Sequence, residues 1–267
     1  MTALQLSSIN RDKPWAGDAN ASVETRSNFR KAASDIDKLY EGLDIQNRVT
    51  LFDDFLGDVL ASNWNAPTKG TDGQTVSPAI TAGVGGLVTM VTGDDAAASM
   101  AVNGVSLTSE LNWKANQGNL VFEARVKVSA ITGVTLFVGL TDDKSTLECP
   151  VTVGASDALT TNAADAVGFV FDTNADTDKI WLVGVANNVD ATAQNSGLVY
   201  VADTYRILRI ELSEAGVASF YIDNTLIGSA MTGAVTASVA LTPVVAAYSG
   251  AASRTVTVDY ILVAADR

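Results

Sequence analysis

The segment Asp172-Thr-Asn174-Ala-Asp176-Thr-Asp178 places oxygen-bearing side chains at every second position, as the opening half of a calcium loop does. It departs from that pattern twice. Thr177 stands at the sixth position, where the loop needs glycine for its sharp turn, and Val183 stands at the twelfth, where it needs a bidentate glutamate. The flanking runs read as strands and not helices, so the segment is expected to be a solvated hairpin loop that holds no metal. The pairs Asp53-Asp54, Asp94-Asp95 and Asp142-Asp143 are expected to be turns for the same reason.

Hydrolysis of a glycosidic bond needs two carboxylates facing each other across a cleft. The glutamates available after residue 50 are Glu110, Glu123, Glu148, Glu211 and Glu214. None stands in the Glu-x-Asp-x-x-Glu spacing with which jelly-roll glucanases align carboxylates along one strand. Trp15, Trp64, Trp113 and Trp181 have the ring faces that stack on sugars, but tryptophans more often anchor a core. The chain has no histidine, which removes the commonest general base and the commonest transition-metal ligand together. It has no glycine-rich phosphate loop, and its one cysteine, Cys149, cannot form an intrachain disulfide. The chain is therefore expected to be no enzyme, to need no cofactor and to assemble in a reducing cytoplasm.

Charge narrows the partners. The formal net charge is −13, which argues against nucleic acid and against an anionic membrane surface. Residues 1–50 carry seven basic and seven acidic side chains, so the whole excess lies in the remainder. This asymmetry divides the chain into an N-terminal part, residues 1–48, and a larger part, residues 49–267. Met1–Asn10 lacks the basic and apolar regions of a signal peptide, and no run is long and apolar enough to span a membrane.

The elements follow from period. Residues 1–22 read as an extended arm, with Pro14 biasing Lys13 away from helix. A helix is expected over Val23–Leu43, with Ser22 as N-cap and Gly42 near its end. Phe29, Ile36 and Leu43 recur every seven residues, and Ala32 and Leu39 recur three positions on, which makes an apolar stripe of about two heptads. Such a helix is marginal alone; it packs either on its own β-domain or in a self-associating bundle. After Val49 the pattern changes to short strand-like runs separated by turns. Val121–Val128 and Tyr205–Leu212 alternate with period two, and Val134–Leu140, Ala166–Phe171 and Ile180–Val185 are continuous apolar runs. Val217–Ile222, Thr225–Gly228, Ala237–Tyr248 and Thr255–Val263 complete the set. Many short strands without helical period predict an antiparallel sandwich. The Ala- and Thr-rich stretches 153–166 and 186–197 read as loops.

Two resemblances extend this reading. Ile9-Asn-Arg-Asp-Lys-Pro-Trp-Ala-Gly-Asp18 with Glu24-Thr-Arg-Ser-Asn-Phe-Arg-Lys-Ala-Ala-Ser-Asp-Ile-Asp-Lys-Leu-Tyr40 is similar to an N-terminal element of many phage virion proteins, with Gly17, Asp18, Arg26, Phe29, Ile36, Leu39 and Tyr40 in matching roles. Asp35 and Asp37 stand around the place where Asn-Phe is frequent in that element. The segments 51–58, 112–127, 166–172 and 258–263 resemble the concanavalin A-like jelly-roll domains of phage head-decoration and fibre proteins. The resemblance implies a mainly β fold, an antiparallel jelly-roll sandwich behind an N-terminal arm and short helix. It implies a non-enzymatic structural protein of a bacteriophage virion that decorates the capsid as a head fibre. The expected partners are the major capsid protein or other virion proteins, and further copies of the chain in a homo-oligomer, a trimer. Trp15, Phe29, Ile36, Leu39, Tyr40 and Leu43 are the expected docking and oligomer residues. The alternative is a tail-fibre or receptor-binding module whose sandwich binds host glycan.

Overall fold

The computed structural model describes residues 47–65, 68–81, 85–144, 147–250 and 252–267. In chain order the strands of the first half are β1 (Arg48–Asp53), β2 (Thr68–Lys69), β3 (Val76–Thr81), β4 (Leu87–Val91), β5 (Val105–Thr108), β6 (Leu120–Val128), β7 (Val134–Thr141), β8 (Val151–Val153) and β9 (Leu159–Thr161). The second half adds β10 (Ala166–Asp172), β11 (Ile180–Ala186), β12 (Val189–Asp190), β13 (Gln194–Asn195), β14 (Arg206–Leu212), β15 (Ala218–Ile222), β16 (Thr225–Met231), β17 (Thr242–Ser249) and β18 (Thr255–Asp266). One short helix, α1 (Met100–Asn103), sits between β4 and β5, with Ser99 as its N-cap.

Two antiparallel sheets of eight strands face each other. The first runs β16-β15-β14-β6-β18-β4-β3, and β1 pairs with the far half of β18. The second runs β12-β11-β10-β7-β17-β5-β2, with β13 also on β11. This is the expected antiparallel jelly-roll sandwich.

The first sheet is buried on one face only. Along β6, Leu120, Phe122, Ala124, Val126 and Val128 point into the core while Val121, Glu123, Arg125 and Lys127 stay half-exposed. That is what the period-two sequence dictates. Between the sheets Phe169 meets Phe220 edge-on, with ring centroids 5.4 Å apart, and Phe171 packs on the fully buried Tyr200. Each such ring removed from water contributes roughly 1.5–3 kcal/mol before entropy is counted.

The second sheet is buried on both faces, so β7 and β10 are covered at every residue. Its outer face carries Phe137, Val170, Trp181, Val183, Val244 and Ala246, which form a second apolar cluster with Cys149, Val151, Val153 and Ala163. A small two-stranded sheet, β8 with β9, supplies that cover as a third layer. The stretch 153–166, expected as a loop, therefore contains part of a roofing hairpin. The stretch 186–197 likewise contains β12 and β13. The layers meet closely because Gly139 and Gly168 face each other across β7 and β10. A Cβ on Gly168 would lie 2.5 Å from Cζ of Phe137, so the glycine makes room for that ring.

The expected arm and helix lie almost wholly outside the described residues, as do Trp15, Phe29, Ile36, Leu39, Tyr40 and Leu43. The sandwich itself runs from Arg48 to Arg267.

Candidate functional site

The calcium-like segment is the β10–β11 turn. The Asp172 carboxylate points inward, is 1% exposed, and accepts hydrogen bonds from the backbone N–H of Val153 (3.2 Å) and from both the backbone N–H (2.9 Å) and the side-chain amide (3.0 Å) of Asn174. Burial pushes its pKa up from the ordinary 3.8, and these donors hold it partly down. Asp176 and Asp178 point to solvent. Asp172 thus ties the roof to the second sheet, and among the described residues no group of three or more His, Cys, Asp or Glu side chains is placed to hold a metal ion.

The acidic pairs divide in the same way. Asp53 accepts from the backbone N–H of Phe55 and from Nε1 of Trp64, and Asp95 accepts from the backbone N–H of Ala97, both as turn anchors. Asp142 and Asp143 follow the end of β7, where burial, with Asp165 and Asp143 nearby, raises the pKa of Asp142.

Trp64, Trp113 and Trp181 are 5%, 3% and 9% exposed and anchor the core, so none of them is open to a sugar. Aromatic rings near solvent lie on the outer face of the first sheet: Phe52, 57% exposed and 6.1 Å from the Tyr260 ring, and three half-buried tyrosines. Tyr205 lies under the Arg125 guanidinium, 4.1 Å from its ring centroid, with the Lys127 ammonium at 5.1 Å. Tyr221 donates to Glu211, and Tyr260 donates to Glu123 at 2.7 Å. Arg125 pairs with Asp259, and Arg209 pairs with Glu211. Glu123 and Glu211 are therefore parts of a surface lattice of paired charges and not opposed across a cleft.

Glu148 is placed differently. It lines a shallow, open depression on the roofed side of the second sheet, together with Ser106, Thr108, Thr141, Asp143, Pro150, Asn162, Ala163 and Val244. β5 contributes Ser106 and Thr108, the end of β7 contributes Thr141, and the roof contributes Glu148 and Asn162. Lys144 stands beside this group but pairs with Glu110. The Thr108 hydroxyl accepts from the Asn65 side-chain amide at 3.0 Å, and the Asn162 amide donates to the Cys149 carbonyl at 2.9 Å. Hydroxyl, amide and carboxylate groups around an open depression are the groups that exchange hydrogen bonds with sugar hydroxyls. The sequence reading missed this site because its residues come from five separate segments, and only Asp143 and Glu148 among them stood out by type.

No protein-family profile matches the chain, and no curated protein matches its sequence. Solved structures do match the sandwich. A β-glucanase of Bacillus licheniformis is 13% identical, with a TM-score of 0.54 over 80% of this chain and 97% of the other. The carbohydrate recognition domain of Emp47p is 12% identical, with a TM-score of 0.54 over 84% and 98%. A structure described under endo-acting O-glycanases of the human gut microbiota is 9% identical, with a TM-score of 0.55 over 81% and 98%. At these identities the likeness establishes the concanavalin A-like jelly-roll fold. It also corrects the expectation that the chain is no enzyme, because the fold it adopts is one on which glycoside hydrolases are built.

Proposed function

We propose that this chain is a carbohydrate-binding jelly-roll protein of a bacteriophage particle. Its sandwich engages host glycan, and its N-terminal part docks on virion proteins and joins copies of the chain into a trimer. The observation that carries the glycan reading is the pocket over β5 and β7, where Thr108, Thr141, Asp143, Glu148 and Asn162 line one depression. The carbohydrate-directed proteins that share the fold support the same reading. The virion assignment rests on the Ile9–Tyr40 element, with Trp15, Phe29, Ile36, Leu39, Tyr40 and Leu43 as docking and oligomer residues. That element favours capsid decoration as a second reading, in which the particle's head carries the protein.

The test is a glycan array probed with the whole protein and with a variant of the exposed pocket carboxylate, Glu148→Ala. Binding of at least one glycan class, lost at least about ten-fold in the variant with unchanged thermal unfolding, is the expected result; ten-fold corresponds to about 1.4 kcal/mol. Reducing-sugar release from the bound glycan, measured alongside, tells binding from hydrolysis. An array on which the variant binds as the parent does overturns the assignment of the pocket. Antibody labelling of intact particles places the protein on head or tail.

A further inference from the structure

We infer that the outer face of the first sheet is a self-complementary contact surface, on which a second copy of this chain packs about a two-fold axis parallel to β6 and β14. This contact is separate from the apolar stripe assigned to the trimer.

The strand register sets out the complementarity. On the outer face Phe52 of β1 stands beside Leu262 of β18, Leu262 beside Glu123 of β6, and Glu123 beside Arg209 of β14. Arg209 stands beside Tyr221 of β15, and Tyr221 beside Leu226 of β16. One row thus crosses six strands in the order apolar, apolar, acid, base, aromatic, apolar. A two-fold axis between β6 and β14 lays the same row, reversed, over itself. Phe52 then meets Leu226 of the second copy, Leu262 meets Tyr221, and Glu123 meets Arg209. The rows on either side oppose no like charges: Arg125 faces Ile207, and Val121 faces Glu211.

Exposure and charge favour the same occupant. Phe52 and Leu226, at the two ends of the row, are 57% and 58% exposed. Glu123 accepts from Tyr260 through one oxygen, and Arg209 gives Nη2 to Glu211, so each keeps capacity for a group from outside. On the central strands Arg125, Lys127 and Arg209 balance Glu123, Glu211 and Asp259, in a chain whose net charge is −13. Two copies of so acidic a chain repel through most of their surface, and a balanced face is where they can meet. Six strands spaced about 4.8 Å apart and seven residues long offer a patch of roughly 24 Å by 23 Å, or about 550 Å². That is below the roughly 800 Å² per partner of a standard interface, so the contact is expected to be weak, with a Kd near about 0.1 mM. Single chains at micromolar concentration therefore stay apart, while copies held close together pair.

The experiment is sedimentation equilibrium of the whole protein from about 5 to about 500 µM, a range that brackets the expected Kd. The mass is expected to rise across it. Arg209→Glu places acid over acid and is expected to weaken the association at least about ten-fold, and Glu123→Arg/Arg209→Glu is expected to restore it to within about three-fold. Disulfide trapping tests the geometry itself, because Cys149, the one cysteine, is 1% exposed and leaves introduced thiols to pair with each other. A Phe52→Cys/Leu226→Cys chain oxidised at high concentration is expected to give covalent dimers, and neither single variant is. This second measurement decides the matter even where the charge swap disturbs folding. A mass independent of concentration, as when another partner or the chain's own first 46 residues occupy the face, overturns the inference. So does a folded charge swap that fails to restore association, or a single cysteine variant that cross-links as readily as the double one.

Discussion

Asp172 shows how one side chain can serve the fold at an electrostatic cost. Its carboxylate is enclosed by the roof and the second sheet, with the Cys149 thiol and the Tyr248 phenol nearby. Burial pushes the thiol up as well, and the phenol up to about 12, so both neighbours stay neutral near pH 7 and neither offsets the aspartate's charge. The carboxyl's pKa in the folded state lies above its ordinary 3.8. The folded protein then holds this proton more tightly than the unfolded chain does. The stabilisation from that proton is complete below about pH 3.8 and disappears as pH rises through the folded value. An Asp172→Asn variant has no such titration. Relative to the parent, its stability against unfolding is expected to increase as pH rises above 3.8 and then to level off. Urea unfolding of both proteins from pH 3 to pH 7 measures this difference, with linkage setting the slope. A parent that gains on the variant with rising pH would show that the donors around the carboxylate outweigh burial.

The roof is the element that separates this sandwich from an open one. Apolar packing of Val151 and Val153 holds it down from above, and three polar clasps hold it at the sides. The Asp157 carboxylate accepts from the Thr177 backbone N–H at 3.0 Å and from its hydroxyl at 2.9 Å, the Thr161 hydroxyl donates to Asp190 at 2.6 Å, and Asp172 receives the Val153 N–H. An Asp157→Ala variant removes the first clasp at the hairpin tip. It is expected to lower global stability by about 1–2 kcal/mol, at roughly 0.5–1.5 kcal/mol for each bond lost. Its larger effect is expected in hydrogen exchange, with faster exchange at Val151–Val153 and Leu159–Thr161 and unchanged protection in β7 and β10. Equal acceleration in all four strands would mean that the roof and sandwich open as one unit. The sequence reveals β6 and β14 through their alternation, and it reveals β7, β10 and β11 as apolar runs within a residue or so of their observed ends. Those continuous runs already require burial on both faces, but nothing local says what provides the cover. The roof strands are three residues each, and the turn joining them places Ser156 and Asp157 at positive φ, a conformation that the serine does not announce. The pocket is hidden for a related reason. Its polar residues meet only after β5, β7 and the roof have been brought together from distant parts of the chain.

At the scale of the whole molecule, a shallow pocket makes the copy number decisive. Among the described residues, both apolar clusters draw on Phe55–Ala265, with Val49 and Leu51 packed against the larger one. The proposed trimer rests on the heptad spacing of Phe29, Ile36 and Leu43 with Ala32 and Leu39. A depression that seats only the edge of a sugar is expected to bind weakly, in the millimolar range that corresponds to about −4 kcal/mol. Three such sites on one particle-borne oligomer can raise apparent affinity for a glycan-covered surface by about 10²–10⁴ without any new contact. An Ile36→Asp/Leu39→Asp variant places charge at both kinds of stripe position and is expected to yield monomers whose sandwich still unfolds cooperatively. Its affinity for a soluble oligosaccharide should match the parent's, while its retention on an immobilised polysaccharide should fall by about two orders of magnitude. Light scattering gives the mass, and calorimetry and surface binding give the two affinities. An unchanged oligomer would sink the assignment of the stripe. Monomers that hold the polysaccharide as firmly as the parent would show that one sandwich binds tightly enough alone, which the open shape of the pocket argues against.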